Sequence, residues 1–418
     1  MQVVPWEEAR RTALAAARPL AAAPVPLPEA YGCRLAEPLR ALVAVPGVDV
    51  AAMDGFAVAG PAPWRVVGRV LAGGLPYGGR LRAGEAVEIA TGAPVPEGAL
   101  AVLPYEEAHA EERPRPDHVP PPSRTGEAGE PGGGGERVPG EAPERWVEPL
   151  DEHDLQAGRH IRRRGEDIPQ GEAVLGAGAT VTPAVLGLAA ALGHDTLAVW
   201  PRPAVSVLVT GDEVVHEGLP GPGRVRDAIG PVLPGLIEWA GGRVAATAFL
   251  PDGADPLRRA LHDARADVVV VCGASSRGPA DHLRSVLAEL DAHVMIDGVA
   301  VRPGHPQLLA RLGGGLVVGL LGNPFAALGA ALTLLAPILR RMAHRDEPYE
   351  TSTLAGPVRT HPHDTRLVPV RRSAGGAVPV GHDRPGSLWG AALADALAVV
   401  PPGWDGGHVE LLPLPMGV

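Results

Sequence analysis

Apolar and polar positions change rhythm several times along the chain, and each change predicts a different kind of structure. Residues 5–19 begin Pro-Trp-Glu-Glu and then spread apolar side chains at helical spacing, so a helix is expected near the start. From 43 to 107 the apolar runs shorten. Segments such as 64–71 and 86–89 read as strands, and the Gly and Pro between them predict a small β domain. Residues 109–145, rich in Pro, Gly and charge, hold almost nothing to bury and read as a flexible loop. Beyond Trp146 mixed text returns. Segments 204–209 and 266–271 are apolar and β-branched without alternation, as strands buried on both faces of a parallel sheet are. Segments 231–240 and 281–290 read as helices, and this rhythm predicts a three-layer α/β domain over about 200–345. A closing helix is expected at 325–342, and proline-punctuated short strands over 346–418 predict a second small β domain.

Composition narrows the class. A chain of 418 residues is too long for one core and suggests about three domains. With 45% hydrophobic and 20% charged residues it is globular stock. No apolar run approaches the roughly 20 residues of a membrane span, and no basic-then-apolar leader opens the sequence. Two cysteines, Cys33 and Cys272, make no disulfide framework, so a cytoplasmic protein is expected. A net charge of −11 argues against broad nucleic-acid binding but leaves room for an anionic small ligand in a local basic pocket. All 37 basic residues are arginine, so an arginine at any one position is weak evidence by itself.

Candidate chemistry sits where strands end. Open parallel sheets bind ligands at the carboxyl ends of their strands. The two clearest strands are followed by Thr210-Gly211-Asp212-Glu213 and by Cys272-Gly273-Ala274-Ser275-Ser276-Arg277-Gly278-Pro279-Ala280-Asp281. Glycines let backbone N–H groups approach a phosphate, a helix start adds its dipole, and nearby carboxylates can anchor Mg²⁺. Singly, a glycine-rich loop of this kind is more often a tight connection than a site, and Asp212 and Glu213 read equally well as helix-end charges.

In combination the segments are specific. Ala52-Met53-Asp54-Gly55-Phe56-Ala57, Ala90-Thr91-Gly92-Ala93-Pro94-Val95-Pro96 with Glu106, and Gly158-Arg159-His160-Ile161-Arg162-Arg163-Arg164-Gly165-Glu166-Asp167-Ile168 come first. Thr210–Glu213, Gly273–Asp281, Arg302-Pro303-Gly304-His305-Pro306 and Leu320-Leu321-Gly322-Asn323-Pro324 follow in turn. In type, order and approximate spacing, this series resembles the signatures of the molybdopterin molybdenumtransferases over nearly the whole chain. The resemblance implies an α/β multidomain protein: a discontinuous N-terminal domain of mixed α/β (1–40 and 148–195) and an inserted β domain (41–147). A central three-layer α/β domain with a mostly parallel sheet (196–345) and a small C-terminal β domain (346–418) would follow. It also implies an elongated homodimer whose active site combines domains of both protomers, with transfer partners in the cofactor pathway.

The implied reaction loads molybdenum from molybdate onto adenylated molybdopterin and releases AMP. The resemblance assigns Asp54, Thr91, Asp167, Glu213, Asp252 and Asp281 to catalysis, with Glu213 and Asp281 toward Mg²⁺. Arg162, Arg164, Thr210, Gly211, Gly273, Ser276, Gly278, Arg302, His305 and Asn323 would meet the substrates. Arg163 stands in the same basic run, where guanidinium suits phosphates and oxyanions. Several positions depart from the family pattern. Pro279 stands where relatives carry an acid, and it also lacks a donor. Ala274 replaces a glycine, Leu321 a proline and His305 a lysine, and an imidazole titrates near neutrality where an ammonium does not. Asp227-Ala228-Ile229 stands for an Asp-Ser-Asn motif, and Arg384-Pro385-Gly386-Ser387 for Gly-Ser-Gly. Two readings therefore compete: an active enzyme with a remodelled site, or a relative retained as a pterin-binding or scaffold protein. A third is the molybdopterin adenylyltransferase, whose single domain resembles 200–345; the 52–57 and 90–96 segments count against it.

Overall fold

A computed structural model describes residues 3–113, 143–151, 155–273, 281–345 and 350–415. By its contacts the chain divides into two compact units.

The first unit takes in Met1–Pro38, Gly176–Leu186 and Asp195–Val418. Its central sheet runs in the order Arg243–Leu250, Ala204–Thr210, Val268–Cys272, Gly315–Leu320, Leu308–Leu312, His293–Asp297. The first four strands are mutually parallel, and the last two pair antiparallel at one edge. All residues of Ala204–Thr210 and Val268–Cys272 are buried, which is why those runs show no alternation. Both sheet faces are covered. Val205, Val207, Val268, Val270 and Val318 face a core shared with Leu236, Ile237, Phe325 and Leu335, while Val269, Val271 and Val317 face Leu257, Leu261, Leu283 and Leu287. These are the expected three layers.

The expected closing helix is interrupted. It runs as Pro324–Ala330, a π turn at Ala331–Leu335, and Ala336–Met342. Pro337 has no N–H to give the preceding turn, and the Thr333 hydroxyl donates back to the Gly329 carbonyl at 2.7 Å. The same hydroxyl accepts the Trp6 indole N–H at 3.1 Å, pinning helix Trp6–Ala16 against it. The expectation that no apolar run nears the length of a membrane span fails for this helix. The Pro324–Met342 stretch is long and apolar enough to cross a membrane by length and composition, but 89% of it is buried inside the protein.

The C-terminal strands form a sheet that also draws in distant segments. Its order is Val4–Pro5, Val299–Arg302, Thr365–Ser373, Ala396–Val400, His408–Pro413, Glu350–Thr353, with Gly376–Pro379 beside Thr365–Ser373. Val4–Pro5 and Val299–Arg302 thus join this sheet from outside the 346–418 span. Pairing of Arg302 with Arg366 carries the Arg302 loop to its edge. A smaller sheet pairs Thr196–Trp200 with Ala23–Pro26 and Arg34–Leu35.

The second unit holds Leu39–Leu175 and Gly187–His194. Six strands make its main sheet, in the order Ala108–Arg113, Glu144–Pro149, Trp64–Val70, Glu85–Ile89, Gly55–Ala59, Ala101–Pro104. Ala108–Arg113 and Glu144–Pro149 are paired strands, so the loop expected at 109–145 was drawn too wide at both ends. Alternation is weak in them because neither face of Ala108–Arg113 is buried. Gly55 abuts the neighbouring strand so closely that a Cβ would fall 2.0 Å from the Leu103 carbonyl oxygen.

Candidate functional site

The central sheet reverses direction of growth between Ala204–Thr210 and Val268–Cys272. The chain leaves the first strand toward Arg243–Leu250 and the second toward the opposite edge, which creates a crevice at their carboxyl ends. Three loops meet there. The Thr210 hydroxyl donates to the Cys272 carbonyl at 3.0 Å, and Gly273 N–H donates to the Leu320 carbonyl at 3.2 Å. Gly273 has φ +94°, and a Cβ on it would lie 2.8 Å from the Thr210 carbonyl oxygen. A Cβ on Gly322 would stand 3.9 Å from the Gly273 Cα. The glycines thus allow Thr210, Gly273 and Leu320 to close together, the close backbone approach that a phosphate cradle needs. Burial, and then the charge of Asp227, push the Cys272 thiol pKa far up, so Cys272 is a packing residue.

The acids around this crevice have identifiable partners. Gly211, at φ +133°, leaves space that the Glu213 carboxylate occupies: a Cβ there would be 2.8 Å from Glu213 Oε2. The Asp212 and Asp252 carboxylates each accept the other's backbone N–H, at 3.2 and 3.3 Å. Asp281 is only 3% exposed; its carboxylate accepts Leu283 N–H at 3.4 Å and lies 3.8 Å from Arg284, which also binds Asp297. Ser276 and Gly278, with the departures at Ala274 and Pro279, lie outside the described residues. Among the described residues no three His, Cys, Asp or Glu side chains gather as a metal site. The described donor set thus holds no centre of three protein ligands, and Mg²⁺ bound with a phosphate substrate would need only one or two carboxylates such as Glu213.

The loop after Gly315–Leu320 also borders a second feature. Leu321 and Asn323 line a cleft of about 460 Å³ with Arg302, His305, Arg359, His361 and Arg366. Asn323 precedes helix Pro324–Ala330, and the next residues are held by the Pro385 carbonyl, which accepts Phe325 N–H at 2.9 Å. The Arg384–Ser387 loop is thereby fastened beside the cleft. Arg302 Nε donates to Asp364 Oδ2 at 2.6 Å, Arg366 pairs with Asp383, and Arg366 also donates to the Arg359 carbonyl at 2.7 Å. Burial, and then the charge of Arg359, lower the Arg366 pKa, the sign expected where guanidiniums crowd together.

Arg359, His361, Arg366 and Asp383 were not among the residues expected from sequence. A local signal was present: Arg359-Thr360-His361-Pro362-His363-Asp364-Thr365-Arg366 packs five ionisable groups into eight residues. Its relevance depends on the strand pairing that brings Arg302 alongside, which no short window reveals.

In the second unit the three remaining motif segments come together. Ala52 N–H donates to the His160 carbonyl at 2.8 Å, Gly92 N–H to Ala51 at 2.8 Å, and Arg162 pairs with Val50 in a two-stranded ladder. Asp54 Oδ1 accepts both the Thr91 N–H at 2.6 Å and the Thr91 hydroxyl at 3.0 Å. Asp167 pairs with Arg162, and Arg163 with Asp49 at 2.6 Å. Arg164 donates its backbone N–H to Asp49 at 2.8 Å and its guanidinium to the neutral Gln170 at 3.2 Å. Among the described residues it is the member of the arginine run whose guanidinium meets no carboxylate. The Arg164 N–H, and then the Arg163 side chain, outweigh burial and hold Asp49 below the usual carboxylate range.

Comparison with known proteins gives three successive matches along the chain. Residues 4–193 match the model described as the MoeA N-terminal region (domain I and II). Residues 206–341 match a probable molybdopterin binding domain, and 351–414 the MoeA C-terminal region (domain IV). A molybdopterin molybdenumtransferase 2 of Mycobacterium tuberculosis is 33% identical over 342 residues, covering 78% of this chain and 76% of the relative. The molybdopterin molybdenumtransferase of Synechococcus elongatus is 33% identical over 346 residues, covering 79% and 77%. A solved molybdopterin biosynthesis MoeA protein from Pyrococcus horikoshii superposes over 100% of both chains, with a TM-score of 0.65 and 27% identity. Matches at both ends set aside the single-domain adenylyltransferase reading.

Proposed function

Since this chain belongs to the molybdopterin molybdenumtransferase family, we propose that it is an enzyme that inserts molybdenum from molybdate into adenylated molybdopterin and releases AMP. The observation that carries this reading is the shared Leu321–Asn323 loop. It borders a glycine-built crevice at the sheet's switch point and a cleft lined by three guanidiniums. The crevice suits the phosphates of the adenylated pterin, whose negative oxygens can meet backbone N–H groups of the Thr210 and Gly273 loops. The cleft suits molybdate, a compact dianion, with Arg302, Arg359 and Arg366 as donors and His305 and His361 beside them. Glu213 is one of three exposed carboxylates around the crevice, with Asp212 and Asp252, and Asp281 accepts an N–H at the helix start.

In the second unit, Thr91 offers a hydroxyl and a backbone donor organised by Asp54, while Arg164 brings a cation with no carboxylate partner among the described residues. Those features suit an anionic group. Mg²⁺ enters this reading as an ion arriving with the substrate phosphates, and the reading includes a cytoplasmic homodimer with partners that pass on the pterin. The four-part division at 40, 147, 195 and 345 belongs to it too.

The test is AMP release from adenylated molybdopterin by the purified full-length protein, with Mg²⁺ and with or without molybdate. Molybdate-dependent release that Arg366→Ala abolishes or shifts to much higher molybdate supports the assignment. Tight pterin binding without release would replace it with a pterin carrier.

A further inference from the structure

Resting on the reading of the cleft as an oxyanion site, we propose that Asp364 is a positioning residue that fixes the Arg302 guanidinium as an anion ligand, with the His361 ring setting Asp364 in place. Arg302 ends the strand Val299–Arg302 and is 58% exposed, so unaided it would sample many rotamers and lose that freedom on binding an anion. Asp364 removes part of that cost in advance. Its side chain is 10% exposed and takes the Arg302 Nε–H at 2.6 Å. A guanidinium held at Nε retains donors on its other nitrogens for a ligand.

Asp364 is itself held from behind. The backbone N–H groups of Asp364 and His363 both donate to His361 Nδ1, at 2.9 and 3.3 Å. That closes the 361–364 turn with the imidazole Nδ1 as its acceptor, and the same nitrogen lies 3.4 Å from Asp364 Oδ2. The chain of contacts runs from His361 through Asp364 to Arg302, and both ends line the cleft.

Charge and geometry predict opposite signs here, which makes the idea testable. Deleting an acid beside an anion site should, on charge alone, tighten anion binding. Deleting the residue that orients the ligating arginine should loosen it. Asp364→Ala is therefore expected to raise the molybdate KM about tenfold or more, the scale of one charge-assisted hydrogen bond. The KM for adenylated pterin and kcat at saturating molybdate should move little. Asp364→Asn keeps an oxygen for Nε–H and the backbone donor to His361, and should restore most of the affinity. In an Arg302→Ala background, Asp364→Ala should add nothing, because the two act as one unit.

Calorimetric titration with sodium molybdate reads the same quantities without turnover. If Arg302→Ala leaves molybdate affinity unchanged, the oxyanion reading of the cleft fails. If Arg302→Ala weakens binding while Asp364→Ala leaves it unchanged or tighter, only the positioning role is overturned. Should thermal melts show that Asp364→Ala does not fold, His361→Ala and His361→Asn carry the test. Alanine must weaken molybdate binding and asparagine, which supplies an acceptor, must largely spare it; equal behaviour of the two overturns the proposal.

Discussion

Replacing Gly273 with alanine tests whether the switch-point crevice is built as described. Two costs follow from the geometry. At φ +94° a side chain sits in a backbone region that costs a non-glycine residue roughly 1–3 kcal/mol. The new methyl would also lie 2.8 Å from the Thr210 carbonyl oxygen and 3.0 Å from its hydroxyl, inside normal contact distance. The hydroxyl can swing away, but the carbonyl belongs to a buried strand and cannot, so an overpacking cost of about 1–3 kcal/mol is added. A total of about 3 kcal/mol lowers the melting temperature of this unit by roughly 6–12 °C, at about 2–4 °C per kcal/mol for a domain of this size. The Thr210 and Gly273 loops must also part by some tenths of an ångström, loosening the hydroxyl bond to Cys272. Calorimetry reads the first effect, and AMP-release kinetics the second, as a raised KM for adenylated pterin with a smaller change for molybdate. A Gly273→Ala protein that melts and turns over like the parent would refute the close approach on which the crevice depends.

Other perturbations separate charge from scaffolding in the second unit. Asp54→Asn keeps an acceptor for both Thr91 bonds, so the loop should survive; a fall in kcat of about 100-fold or more would mark the carboxylate charge as chemical, while only Asp54→Ala should also destabilise, by about 1–2 kcal/mol in thermal melts. Burial pulls the Glu88 pKa up, but bonds from Arg69, Tyr105 and Arg145 outweigh it and hold it down. Glu88→Gln should therefore cost about 1–3 kcal/mol in denaturant unfolding, and the Tyr105 pKa, which burial and then Glu88 raise to about 12, should fall toward its ordinary value in a spectroscopic titration. Asp49 titrates below its unfolded value, so its contribution is complete above about pH 4 and is lost as pH falls through the depressed folded value. Asp49→Asn should flatten that acid limb in melts taken at successively lower pH, and an unchanged limb would assign it to other carboxylates.

What could be read from sequence divides along a physical line. The strands Ala204–Thr210 and Val268–Cys272 were legible because burial on both faces forces uninterrupted apolar text, and their following loops were legible because sheet topology fixes where ligands go. The interrupted helix was harder, since Pro337 sits among residues of strong helical pattern and Thr333 reveals its role only through Trp6. The cleft was half legible. Arg302, His305 and Asn323 lie in recognisable motifs, but Arg359, His361 and Arg366 are joined to them by a parallel pairing between segments more than sixty residues apart. Partners were least legible of all: sequence shows an arginine run at 162–164, but not that Asp167 and Asp49 already occupy two of its members.

Arginines already paired with carboxylates limit how a chain of net charge −11 can bind anions at all. Counting basic residues near a motif overstates the available potential, because most of the arginines named here have carboxylate partners. In the cleft, Arg302, Arg359 and Arg366 stand against Asp364 and Asp383, so three positive and two negative groups leave +1 before the imidazoles are counted. Such a site cannot hold a dianion by bulk charge. It can do so by direction, because Asp364 and Asp383 each bind one guanidinium and hold it in place, and an oriented donor pays less entropy when the anion arrives. The acids inside the cleft are then part of the anion-binding apparatus, which is why removing one is expected to weaken binding instead of strengthening it.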